Sequence, residues 1–138
     1  MMNSEIITRL VMATVIAGLG IGIFLVGNRL ILSRSPNRVA RFELYRPGYP
    51  AIVYFTTPGC APCKTVQRPA LETLKKNLGE RLQVIEVDAS IHPDLAQDWG
   101  VLSVPTTFVI DSAGTPRHVN HGVVTAEKLT RQLEDFVI

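Results

Sequence analysis

The chain has 138 residues, two cysteines and three histidines, with 14 basic against 12 acidic side chains for a net charge of +2. That length holds one ordinary domain and an accessory segment, not two domains with separate cores. The near-balance of charge, with no long basic tract, argues against nucleic acid as a partner, and two cysteines three positions apart exclude a framework of structural disulfides.

Residues 10–28 form a run of nineteen uncharged residues, close to the roughly 20 that carry a helix across a bilayer. A cleavable signal peptide is the alternative, because Arg9 precedes the apolar run. Against it, the run is long for such a leader and no small-x-small cleavage site follows before Arg29. The expectation is an uncleaved single-pass anchor in a cell membrane, with residues 1–9 as its flank, residues 10–28 as the transmembrane helix and the lipid bilayer as its partner. Arg29, Arg34, Arg38, Arg41 and Arg46 follow the span against Glu43, whereas Glu5 and Arg9 precede it. By the positive-inside rule this asymmetry predicts a soluble domain on the cytoplasmic side. Gly18 and Gly22 make one small-xxx-small pair, a weak signal for helix association.

Residues 29–50, with Pro36, Pro47, Gly48 and Pro50, are expected to be a juxtamembrane linker containing one short strand near Val39–Leu44. The compact domain is then expected over 51–138. Ala51–Phe55 is a nearly continuous β-favouring run, the pattern of a strand buried on both faces. After Cys63, the apolar residues Val66, Ala70, Leu74 and Leu78 recur every four positions and Gly79 closes the run, which predicts an amphipathic helix that Pro69 should kink.

Leu82–Val87 reads as a second strand, and a short helix follows from Pro93, with Leu95, Ala96 and Trp99 on its inner face and Gly100 past its end. Thr107–Ile110 and Arg117–His121 read as a hairpin around Asp111-Ser112-Ala113-Gly114. Leu129, Leu133, Phe136 and Val137 give the stripe of a terminal helix that Thr125 is placed to cap. Strand, helix, strand, helix, hairpin, helix is an α/β order.

The chemistry falls on Cys60 and Cys63. A cysteine at a helix N-terminus meets unpaired N–H groups and the positive end of the helix dipole, which favour thiolate over thiol. Cys60 holds that position and is the expected nucleophile. Cys63, one turn on, is the expected resolving thiol, able to attack a mixed disulfide on Cys60. The same C-x-x-C spacing supplies half of many zinc sites, but no second pair exists. His118 and His121 stand at i and i+3 of a predicted strand, on opposite faces, and His92 lies apart from both. No metal is expected.

Four features together resemble the thioredoxin family over residues 51–138. They are Tyr54-Phe55-Thr56-Thr57-Pro58-Gly59-Cys60-Ala61-Pro62-Cys63-Lys64 after a buried strand, Val87-Asp88 ending the next, Val104-Pro105-Thr106 before the hairpin, and Gly122 ahead of the last helix. The resemblance implies a thioredoxin-like α/β fold, a central mixed sheet flanked by helices, with a shortened N-terminus and one transmembrane helix before it. It implies a cis peptide bond at Val104-Pro105 beside the cysteines and assigns Val104, Pro105 and Thr106 to substrate binding; the plainer reading has Pro105 merely opening an edge strand. It implies a thiol–disulfide oxidoreductase with no cofactor beyond the redox-active Cys60–Cys63 disulfide. The expected partners are a client protein with a disulfide and a thiol electron donor.

The departures bear on mechanism. Gly59 replaces the tryptophan usual before the first cysteine, and Tyr54 stands where the family usually buries an aspartate. A phenol with a reference pKa of about 10 stays protonated at pH 7 and donates a hydrogen bond rather than accepting the proton of Cys63. Glu86, on the next strand, is the other candidate acceptor, weighed against a plain solvated glutamate. Dedicated reduction of one client is the leading reading. A non-catalytic accessory subunit of a larger membrane complex is the alternative, and a thiol metallochaperone a third. Many anchored bacterial relatives carry the domain outside the cytoplasm, which leaves the extracytoplasmic side open.

Overall fold

The computed structural model describes residues 4–33, 39 and 41–137, in two units, Met1–Ile31 and Leu32–Ile138. The described residues of the first unit all lie in one helix, α1 (Ser4–Ser33), longer at both ends than the apolar run itself. Polar residues extend it without penalty, and Glu5 in its first turn suits the positive end of the helix dipole. Its stretch Ser4–Leu30 is long and apolar enough to cross a membrane. At ~1.5 Å per residue, its 27 residues exceed the roughly 30 Å of a hydrocarbon core. The hydroxyls of Thr8 and Thr14 donate back to the carbonyls of Ser4 and Leu10, at 2.9 and 3.1 Å, so neither needs an outside partner.

In the second unit β1 (Ala51–Thr56), β2 (Gln83–Asp88), β3 (Thr106–Ile110) and β4 (Pro116–His121) form one mixed sheet in the order β2-β1-β3-β4. β1 runs parallel to β2 and antiparallel to β3, with Tyr54 opposite both Glu86 and Thr107, and β3 runs antiparallel to β4. Every residue of β1 and β3 is buried; these strands have a layer on each face, so their sequences lack the alternation of a half-exposed strand. The hairpin turn is held by Asp111, whose buried carboxylate accepts from the N–H groups of Ala113 and Thr115 and from Arg117.

One face of the sheet carries Ile52, Tyr54 and Val109 and packs against Leu71 and Leu74 of α2 (Arg68–Leu78) and Leu129 and Leu133 of α4 (Ala126–Val137). The amide of Lys128 donates to Thr125 Oγ1 at 3.3 Å, capping α4. On the opposite face Phe55 and Phe108 meet Trp99, which follows α3 (Pro93–Asp98), and Phe42 meets the same indole, with ring centroids 4.8–6.1 Å apart. Such pairs add about 0.5–1.5 kcal/mol each beyond their burial.

Two expectations are corrected here. Residues 41–44 are not a strand: the amides of Phe42 and Tyr45 donate to the carbonyls of Val39 and Phe42, each at 3.0 Å, and make successive tight turns. Val39 and Phe42 are buried, so part of the expected linker belongs to the core, while Arg34, Arg38 and Ala40 lie outside the described residues. The second correction concerns the helix after the cysteines. It contains a π-helical turn, Cys63–Gln67, in which the amide of Arg68 reaches the carbonyl of Cys63. Pro69 has no amide to continue the ordinary ladder, and the wider turn just before it takes up the mismatch. The inner face therefore runs through Cys63, Gln67, Leu71 and Leu74, while Val66, expected inside, is half-exposed.

Candidate active site

β1 delivers the chain to the site and Pro58-Gly59 turns it, with the Cys60 amide bonded to the Thr57 carbonyl at 3.1 Å. Helical residues begin at Ala61. Cys60 and Cys63 form a disulfide, their Cα atoms 5.3 Å apart. The Cys63 amide points at Cys60 Sγ, 3.2 Å away. A backbone donor aimed at that sulfur favours its thiolate once the disulfide is reduced. Cys60 is 8% exposed and Cys63 fully buried, so a bulky disulfide substrate meets Cys60 first.

Cys60, Cys63 and Tyr54 share one buried cluster, and Val104 packs against it. The Val104–Pro105 peptide bond is cis. The Pro105 carbonyl accepts the amide of Gly122 at 2.8 Å, at a positive φ of 82° that suits glycine. Thr106 is fully buried between β1 and β4, and its hydroxyl donates to the Ser103 carbonyl at 2.6 Å. Glu86 has its ion pair with Arg68 rather than a hydrogen bond to either cysteine. Its half-exposed carboxylate pairs with Arg68 Nη2 at 2.8 Å. His118 lies by Asp135, 3.6 Å away, and stacks on Phe136.

The Tyr54 hydroxyl donates to the Cys63 carbonyl at 3.2 Å. Burial pushes this phenol above its ordinary value; Glu86 also pushes it up, while Thr56 and Arg68 pull it down. Across the sheet, the buried hydroxyl of Thr107 has no partner among the described residues.

Two residues escaped the sequence reading. Gln67 is fully buried, and its amide both accepts from Val124 N–H at 2.9 Å and donates to Val124 O at 3.2 Å, tying the cysteine helix to the loop before α4. Its signal was the spacing Cys63, Gln67, Leu71. Arg68 joins the Cys63 carbonyl through its amide and Glu86 through its guanidinium, and nothing local marks it.

The thioredoxin family model matches residues 42–135. The thioredoxin-like protein slr0233 of Synechocystis sp. is 34% identical over 88 residues, covering 64% of this chain and 82% of that protein. The chloroplastic thioredoxin Y of rice is 31% identical over 85 residues, 62% of this chain, which spans only 49% of that relative's length. Among solved structures, thioredoxin-2 of a malaria parasite superposes with a TM-score of 0.61 at 22% identity, over 66% of this chain and 86% of that one, a likeness of fold. Together with a disulfide-linked cysteine pair at a helix start, these matches make the chain a member of the thioredoxin family, built for thiol–disulfide exchange.

Proposed function

We propose that the chain is a single-pass membrane protein that reduces the disulfide of a client protein. The observation that carries this reading is the unequal pair: Cys60, 8% exposed and with a backbone N–H aimed at its sulfur, linked to the fully buried Cys63. In the reduced protein, Cys60 thiolate attacks one sulfur of the client disulfide, a mixed disulfide forms, and the other client sulfur leaves as thiolate. Cys63 then gives up its proton and attacks Cys60 Sγ. The Cys60–client bond breaks, the second client sulfur departs, and the protein is oxidised by two electrons as the client is reduced by two. A thiol donor restores the dithiol.

Val104, Pro105 and Thr106 supply the backbone edge against which the client chain lies. α1 holds the domain at the bilayer, on the cytoplasmic face by the arginine asymmetry. Exchange needs no cofactor beyond the two sulfurs. The test is trapping. With Cys63→Ser, mixed disulfides to the client accumulate; with Cys60→Ser they do not. Equal trapping by both variants overturns the assignment, and failure of the intact protein to reduce insulin favours the accessory-subunit reading.

A further inference from the structure

The carbonyl of Cys63 accepts two hydrogen bonds where one would satisfy it. One comes from the amide of Arg68, through the π-helical turn. The other comes from the Tyr54 hydroxyl, at 3.2 Å. The first is fixed by the backbone, whereas the second belongs to an O–H that rotates about its own C–O bond. Should the tyrosine turn away, Arg68 leaves no buried orphan behind, so re-aiming costs little.

We infer that the Tyr54 hydroxyl is a redox-dependent donor: it bonds the Cys63 carbonyl while the disulfide stands and turns to the Cys63 sulfur when that sulfur becomes a thiolate. The inference rests on the exchange chemistry proposed above and assigns Tyr54 a positioning role in the resolving step. Its place fits, since Tyr54 is fully buried, packs in the same cluster as both cysteines and already touches the residue that must ionise. Its chemistry fits as well, because a buried phenol held above its ordinary value keeps its proton and lends only a hydrogen bond. The Cys63 proton therefore goes elsewhere, to Glu86 or to solvent. The charged groups acting on the hydroxyl are Glu86 from β2 and Arg68 from α2; β3 and α4 bring Val109, Thr107, Leu129 and Leu133, none of them charged.

The full chain in detergent, reduced and mixed with dithiobis(nitrobenzoate), releases nitrothiolate in two phases, attack by Cys60 and then resolution by Cys63. In Tyr54→Phe the second phase should slow about tenfold at pH 7 and its pH midpoint rise by about one unit, the size of one hydrogen bond to a charged group, with the first phase unchanged. The shift should persist in a Glu86→Gln background. Should Tyr54→Phe fail to fold, 3-fluorotyrosine placed at position 54 decides the matter: a more acidic phenol donates more strongly and should lower the midpoint. An unmoved midpoint in either Tyr54 variant overturns the inference, as does a shift that vanishes without Glu86. Absence of a second phase in the unaltered protein would instead overturn the exchange reading itself.

Discussion

Glu86 faces Tyr54 across the strand pair and holds Arg68 at 2.8 Å, and no hydrogen bond joins it to either cysteine. If it accepts the Cys63 proton, it does so in competition with water, because its side chain is 46% exposed. In that case Glu86→Gln should slow the resolving step by roughly tenfold, less than the 10²–10⁴ of an enclosed acid–base group, and leave attack by Cys60 nearly unchanged. Adding Tyr54→Asp to that variant should restore part of the rate. Unchanged single-turnover kinetics in Glu86→Gln would return the glutamate to the surface and leave water as the acceptor. At this scale the cysteines were legible because their chemistry is local, four consecutive residues at a helix start. Arg68 was not, since its meaning lies in Glu86, 18 positions further on and on a different element.

Among the elements, β1, β3 and the hairpin were legible because long apolar runs and a polar glycine turn admit few other readings. The segment after α1 misled because Val39 and Phe42 are three apart, the spacing of a tight helical turn rather than of an alternating strand. The cysteine helix misled for a related reason: a four-residue repeat assumes an unbroken ladder, and the π-helical turn before Pro69 moves the buried stripe by one residue. That shift puts Gln67 indoors, where its two bonds to Val124 replace the packing a leucine would give. Gln67→Ala should leave both Val124 groups without partners and cost about 2–4 kcal/mol, lowering the thermal midpoint by roughly 10 °C. The single buried Trp99 reports it by fluorescence; an unaltered midpoint would show that the link is dispensable.

For the whole molecule, the apolar helix α1 and the thioredoxin domain bear on separate questions, the proposed membrane location and the chemistry. If the arginine asymmetry sets the orientation as proposed, a fluorescent protein fused after Ile138 should fluoresce and alkaline phosphatase at the same point should be inactive. Active phosphatase would reverse the orientation. The disulfide adds a consequence of its own. Cys60 and Cys63 are the chain's whole complement of cysteine, and as folded both are consumed in one bond. An alkylating tag therefore attaches nowhere on the oxidised chain and twice on the reduced one. Counting tags on protein taken quickly from living cells turns the chain into a gauge of the electron supply in its own compartment.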